Sequence, residues 1–302
     1  MTMQEAYQQG EKLLVQAQIP DARLDAWYLL EHVTGVSRAM YYAMPDKELS
    51  EEQADQYSDF ISRRAAHIPL QHLTGEQEFM GLTFWVNEHV LIPRQDTELV
   101  VEEALKIMES RSEAEYPAGK ADDSKKQDFR VLDMCTGSGC ILLSVLYHAG
   151  KDKKCGNLKM AGTGADISEE ALETARINEE LLNIEAEFIH SDLFDEVEGR
   201  FELIVSNPPY IRTDEISKLQ DEVQGHDPWI ALDGKEDGLY FYRKIISGAG
   251  GYLSDGGHLV FEIGFDQADA VSTLMRDAGF RDIMVKKDLA GLDRAVIGVY
   301  DR

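Results

Sequence analysis

"VLDMCTGSGC", residues 131–140, runs from an apolar strand through a glycine-containing turn into a helix-like segment. Gly137 and Gly139 permit positive φ and let backbone approach a ligand closely. A dinucleotide-binding fingerprint would need a third glycine where Leu142 stands, and a phosphate-binding P-loop would need a Gly-Lys-Ser/Thr ending. Both readings fail, so the turn opens a βα unit of another kind. From Phe129 onward the chain alternates short apolar strands with helices. The strands are RVLDMC, KMAGTGADI, AEFIHSD, FELIVSN, GHLVFEIG, DIMVKK and AVIGVY, separated by segments such as SEEALETARINEELL and DQADAVSTLMRDAG. The alternation predicts an α/β fold, an open, mainly parallel seven-stranded sheet with helices on both faces. Ligands of such sheets sit at the carboxyl ends of the strands.

Upstream the pattern is different. Residues 1–75 read as all-helical, with apolar residues at helical spacing in AYQQGEKLLVQA and ARLDAWYLLEHV, where Leu24, Trp27 and Leu30 are a turn apart. Ser50-Glu51-Glu52-Gln53 is a capping box that opens a third helix ending near Arg64, with Pro69 beyond it. EFMGLTFWVNEHVLIP, rich in aromatic and β-branched residues, predicts a hairpin linker over 76–93, with Asn87-Glu88 between its apolar arms. Residues 94–302 form the second domain. Helix returns at Thr97–Glu109, and the polar segment 110–128 reads as a flexible insertion.

Fifty-six acidic against 30 basic residues give 302 residues a formal net charge of −26. Such a surface disfavours nucleic acid or an anionic membrane as the main partner and favours a basic protein. No apolar run approaches the roughly 20 residues that span a bilayer, and the N-terminus lacks a secretory pattern. Cys135, Cys140 and Cys155 suit neither a disulfide framework nor a zinc site, and the eight histidines are scattered. A cytoplasmic monomer without a metal is the expectation.

The turn at 133–139 resembles the acidic-x-x-x-Gly-x-Gly turn of class I S-adenosylmethionine methyltransferases, whose next strand ends in an acidic residue. Asp166 in "GADIS" stands there and would accept the ribose hydroxyls. Cys135 occupies the place of a common first glycine; a nucleophilic role would need an activating His or Lys that the sequence does not put beside it. After the fourth strand comes Asn207-Pro208-Pro209-Tyr210, which resembles the motif of enzymes that methylate a planar, conjugated –NH2 group. An amide nitrogen has a delocalised lone pair and is a poor nucleophile, so catalysis must consist of positioning. The Asn207 side-chain oxygen and the Pro208 carbonyl are suitable acceptors for its N–H groups, and Tyr210 could lie against its plane. The motif by itself leaves glutamine amide, adenine N6 and cytosine N4 open.

The wider sequence closely resembles the HemK/PrmC family, glutamine N5-methyltransferases of bacterial peptide chain release factors. The resemblance rests on residues 69–102 with "LIPRQDTE", on "VLDMCTGSGCILLSV", "DISEEALETARIN", "SDLF" and "FELIVSNPPYI", and on "DPWIALDGKEDGLYFYRKI", "HLVFEIGFDQ" and "KDLAGLDRAVIG". It implies S-adenosylmethionine as cofactor, S-adenosylhomocysteine as product, and the glutamine of a Gly-Gly-Gln loop as substrate. It also implies a helical N-terminal domain that helps engage the release factor, and the Rossmann-like class I fold. Carried over by motif, the cofactor contacts are Cys135, Thr136, Gly137, Ser138, Gly139, Asp166, Leu193 and Asn207. Asn207, Pro208, Pro209 and Tyr210 bind the substrate, with Asn207, Pro208 and Tyr210 as the catalytic set. Arg94 and Glu98 either organise the site or form a structural ion pair. Two departures stand out: Asp227 replaces an expected Glu before Pro228, and Gly162 and Gly164 interrupt the second strand. Methylation of adenine N6 or cytosine N4 in nucleic acid is the alternative function.

Overall fold

In the computed structural model, which describes residues 1–115 and 127–301, the chain divides into two compact units. The first comprises Met1–Glu76 with Leu219–His226, and the second Gln77–Lys218 with Asp227–Arg302. The first unit holds α1 (Met3–Gln16), α2 (Ala22–Thr34), α3 (Arg38–Ala43), α4 (Glu51–Ala65) and α5 (Leu70–Thr74). The capping box at Ser50 opens α4: Ser50 Oγ accepts the Gln53 N–H at 3.1 Å and the Gln53 side chain accepts the Ser50 N–H. That helix is the fourth, not the third. Ser37 caps the six-residue α3, too short for its periodicity to show in the sequence. Trp27 and Leu30 are buried as expected, whereas Leu24 faces solvent.

The second unit begins with a hairpin, β1 (Glu76–Phe79) and β2 (Leu82–Trp85). It reverses at Met80-Gly81, both at positive φ (53° and 70°), the backbone that suits a tight hairpin turn. The expected reversal at Asn87-Glu88 is a correction: Asn87 lies beyond β2, where its side-chain oxygen accepts the His89 N–H at 3.0 Å. Phe79 and Phe84 are buried in the core of this unit with Met108 and Leu142, so the hairpin is part of that core. Helix α6 (Glu98–Glu115) follows, and strand β3 starts at Gln127. Both ends of the expected insertion at 110–128 therefore lie in regular elements, and residues 116–126 fall outside the described residues.

From there the chain continues through β3 (Gln127–Met134), α7 (Cys140–Lys151), β4 (Leu158–Asp166), α8 (Glu169–Leu182), β5 (Glu187–His190) and β6 (Phe201–Ser206). Three short helices follow: α9 (Thr213–Ile216) and α11 (Trp229–Leu232) stay in this unit, whereas α10 (Asp221–His226) between them belongs to the first. The unit closes with α12 (Tyr240–Ala249), β7 (Leu253–Glu262), α13 (Ala268–Asp277), β8 (Phe280–Lys287) and β9 (Asp293–Tyr300). All seven strands read from the sequence form one sheet in the order β5-β4-β3-β6-β7-β9-β8. Only β9 runs antiparallel, to β7 and to β8. This is the seven-stranded, mainly parallel arrangement of the class I methyltransferase fold.

Adjacent residues of the central strands point to opposite faces. Val131, Leu203, Val260 and Ile297 enter the core formed with α6 and α7. Their neighbours Leu132, Ile204, Leu259 and Val296 enter a second core with α12 and α13. Burial on both faces explains why the strands read as continuous apolar runs. Among the described residues no helix is long and apolar enough to cross a membrane.

The two glycines of β4 have a packing cause. A Cβ at Gly162 would lie 2.7 Å from Leu146 Cδ1, and one at Gly164 would lie 2.7 Å from the Phe188 ring and 2.9 Å from Thr136 Oγ1. The strand keeps its place through pairing with β3 and β5 despite its low propensity. Gly164→Ala is expected to destabilise the protein by about 1–3 kcal/mol through overpacking. Urea denaturation checks this; an unchanged midpoint would contradict the close approach.

Candidate active site

Strand order reverses on either side of β3, which pairs with β4 on one edge and β6 on the other. Ligands of open α/β sheets bind at such a switch point. A cleft of about 330 Å³ opens there. The loops after β3, β4 and β6 supply its walls, with further residues from 89–97, 191–193 and 230–241.

The glycine turn is held from below. Thr136 Oγ1 donates to Asp133 Oδ2 at 2.7 Å, and the same oxygen accepts the Leu142 N–H at the start of α7 at 3.3 Å. Asp133 is fully buried and its Oδ1 has no partner among the described residues, and burial pushes its carboxyl up to about 7. Cys135 sits at φ 63°, a left-handed backbone that glycine adopts without strain. Burial and the nearby Asp166 and Asp133 carboxylates raise its thiol well above the ordinary value, which keeps it from being a thiolate.

Asn178 on α8 braces the turn from the side. Its Nδ2 donates to Ser138 O at 2.9 Å and to Trp85 O at 3.0 Å, while its Oδ1 accepts the Trp85 N–H at 2.7 Å. The hairpin and the glycine turn thus share one buried amide. At the end of β4, Asp166 accepts the N–H of Gly137 at 2.9 Å and of Ser168 at 3.0 Å, one on each oxygen. Burial raises its carboxyl, and these two bonds oppose the rise. Each oxygen keeps a second acceptor lone pair, enough for a diol.

Asn207 Nδ2 donates to Thr97 Oγ1 at 3.4 Å, and its oxygen has no partner among the described residues. Ser206 Oγ donates to Met134 O at 2.6 Å and locks the end of β6 to that of β3. The Tyr210 phenol donates to Glu262 Oε1 at 3.2 Å, and Gln267 Nε2 donates to Tyr210 O at 2.9 Å. Over Tyr210 lies the "LDGKEDG" stretch. Gly234 N donates to Ile211 O at 2.8 Å, and a Cβ at Gly234 or Gly238 would come within 2.7 or 2.5 Å of Tyr210 backbone. Those two glycines are there because backbone passes over backbone.

The expected residues do not all reach the cleft. Cys135, Thr136, Gly137 and Ser138 line it, as do Asp166, Leu193, Asn207 and Pro209. Gly139, Pro208 and Tyr210 do not. Gly139, at φ 76°, begins α7 and packs against Phe188 and Ala175. Tyr210 is turned toward Glu262. Arg94 lines the cleft and pairs with the buried Asp227 at 2.9 Å, whereas Glu98 accepts the Met80 N–H at 2.7 Å. The two therefore serve separate partners. The sequence singles out Asp133 only as the acidic residue opening the turn, and does not single out Thr97, Asn178, Glu262 or Gln267, although the motifs "VLDMCTGSGC", "LIPRQDTE", "DISEEALETARIN" and "HLVFEIGFDQ" contain all five.

Two profiles match the chain, one described as the PrmC N-terminal domain over residues 5–75 and one as the methyltransferase small domain over residues 122–222. A release factor glutamine methyltransferase of Agrobacterium fabrum is 38% identical over 95% of this chain and 93% of its own length. One of Clostridium acetobutylicum is 39% identical over 91% of this chain and 90% of its own. Among solved structures, the hMettl16 catalytic domain overlays with a TM-score of 0.52 at 14% identity, covering 81% of this chain and 84% of that one. That likeness concerns the fold alone.

Asp133 makes the stability of the ligand-free protein depend on pH. Its carboxyl ionises near 4 when unfolded and near 7 when folded, so folding takes up a proton between those values. Stability is therefore highest below about 4 for this group and falls as pH rises through 7. Asp133→Asn is expected to flatten part of the decline in Tm between pH 5 and 8. An identical slope in the variant would show that Asp133 does not titrate there.

Proposed function

The chain belongs to the release factor glutamine methyltransferase family, and we propose that it methylates the side-chain amide nitrogen of the glutamine in the Gly-Gly-Gln loop of peptide chain release factors, with S-adenosylmethionine as donor. What carries the reading is the meeting of Asp166, the glycine turn and Asn207 on the wall of one cleft. The residues fit the cofactor. Spare acceptors on Asp166 suit the ribose hydroxyls, the backbone at Gly137 lies open, and Leu193 at φ 53° brings main chain to the cleft. Bound there, S-adenosylmethionine supplies an electrophilic methyl group on a sulfonium.

The chain's own part is orientation. Asn207 Oδ1 on the cleft wall accepts one N–H of the glutamine amide, and the Pro208 carbonyl, which does not line the unliganded cleft, accepts the other as the substrate seats, so that the nitrogen turns toward the methyl group. Proline suits this task because its ring restricts the backbone that aims the carbonyl. A glutamate in place of glutamine would set carboxylate oxygens against these two acceptors. Unpaired buried acceptors cost about 1–3 kcal/mol each, which is the basis of discrimination. Tyr210, held at its phenol and at its carbonyl, keeps the motif rigid behind the acceptors. The amide proton leaves to solvent after transfer, so no strong base is required.

Incubation with methyl-labelled cofactor and a release factor should label the glutamine of the Gly-Gly-Gln loop, located by peptide mass. Equal labelling of a factor with alanine at that position would sink the reading. Asn207→Ala should lower kcat on the order of 100-fold with cofactor Kd nearly unchanged. A large loss of cofactor binding with kcat intact would assign Asn207 to the cofactor instead.

A further inference from the structure

One basic side chain on the cleft wall stands on strained backbone. Lys235, in the stretch that crosses over Tyr210, has φ 69°, a left-handed conformation that suits glycine and costs a residue with a Cβ folding free energy. The stretch is laced to the chain that leaves the Asn-Pro-Pro-Tyr motif. Ile211 N donates to Leu232 O at 3.0 Å, Gly234 N to Ile211 O at 2.8 Å and Thr213 N to Lys235 O at 3.1 Å. Lys235 is therefore held at a fixed offset from Asn207-Pro208-Pro209-Tyr210, and it lines the cleft together with Ile230, Tyr240 and Phe241.

The side chain is anchored at one point and open elsewhere. Its ammonium donates to Asp233 Oδ2 at 2.9 Å. The other oxygen of that carboxylate accepts the Thr213 hydroxyl at 2.5 Å and the Lys235 N–H at 3.0 Å. The Asp233 side chain is 8% exposed and that of Lys235 is 53% exposed, so the anchor is buried and the cation faces outward. Among the described residues Asp233 is the one ion-pair partner of this ammonium. An ammonium has three N–H donors and no acceptor, which leaves two donors for a ligand.

We propose that Lys235 is a substrate-binding residue: its ammonium, steadied by Asp233, donates to a main-chain carbonyl of the acceptor loop beside the glutamine that is methylated. The inference deepens the glutamine reading above and rests on it. The residues before that glutamine are glycines, whose polar groups are all main-chain, and a group that only donates takes a carbonyl. With no Cβ on those residues, a side chain can approach the carbonyl closely. Asp233 fixes the ammonium beforehand, so little side-chain freedom is lost on binding. Backbone strain of this kind persists where the surroundings and a function hold it, and here it lies beneath a side chain on the cleft wall. Lys235 belongs to the stretch over Tyr210, not to the glycine turn or to the loop after Asp166, which puts the contact on the acceptor's part of the cleft.

The test is steady-state methylation of a release factor by wild type, Lys235→Gly and Lys235→Arg, with the Kd of S-adenosylhomocysteine measured by calorimetry. Glycine removes the ammonium and relieves the backbone at once. Lys235→Gly should therefore raise KM for the release factor about 10-fold, with kcat and the S-adenosylhomocysteine Kd near wild type. Lys235→Arg keeps N–H donors at the same place and should stay within about threefold of the wild-type KM. Asp233 loses its counter-ion in Lys235→Gly, so the double variant Lys235→Gly/Asp233→Asn removes that charge as well. The double variant should show the same rise in KM, which decides the matter if Lys235→Gly misfolds. A lowered Tm with KM unmoved would make Lys235 a structural counter-ion, and a weakened S-adenosylhomocysteine Kd with KM unmoved would assign the ammonium to the cofactor; either result overturns the inference. A wild type that labels no glutamine overturns the proposed function and this inference together, whereas labelling with KM unchanged in Lys235→Gly overturns this inference alone.

Discussion

Parallel pairing of β3 with β4 and with β6 sets Met134 opposite Ala165 on one side and Ser206 on the other. Three chains therefore leave the sheet at one level. The residues that follow, from Cys135, Asp166 and Asn207 onward, meet at a single cleft although they are far apart in sequence. The register is stiffened at that level by the Ser206 hydroxyl on the Met134 carbonyl and by the Thr136 N–H on the Ala165 carbonyl. Sliding β6 by one residue would turn its apolar set to the wrong face and remove Asn207 from the cleft.

A second constraint is polar burial. The site is built on groups that are costly to bury, and most of them are bonded to backbone that must not move. Asp133 bonds the start of α7, Asn178 bonds both the hairpin and the glycine turn, and Gln267 bonds Tyr210 and Gly238 carbonyls. Each ties two segments to one another. Among the described residues, Asp133 Oδ1 and Glu262 Oε2 are both buried without a hydrogen-bond partner, one on the strand that leads into the glycine turn and the other on the strand whose end meets Tyr210. A chemistry that depends on aim rather than on a strong base benefits from a rigid floor of this sort.

Much of this is legible in the sequence, and the exceptions have physical causes. Local, repetitive signals carried through: the strand runs, the capping box at Ser50 and the breaks at glycine. The hairpin turn was misplaced because Asn-Glu is the more polar pair, while Met80-Gly81 makes the reversal through positive φ at a residue that does not advertise it. The glycines of β4 read as a weakness of the strand; the structure shows them as contacts with Leu146 and Phe188. Gly139 and Tyr210 were expected on the cleft because motifs place them beside it, yet their neighbours in space draw them away. Thr97, Glu262 and Gln267 resemble any polar residue near a strand or helix end, and nothing local marks them as partners.

By itself, the sequence determined the strand count, the βα alternation, the turn that opens the cleft and the rigid Asn207-Pro208-Pro209-Tyr210 stretch beside it. These are set by hydrophobic periodicity and by backbone restrictions of glycine and proline, which act over a few residues. Tertiary structure alone decided which polar side chains meet. Glu262 reaches Tyr210 across 52 positions, and Asn207 reaches Thr97 across 110. Such pairings depend on strand order and on desolvation inside the folded core, and neither exists until the sheet has formed.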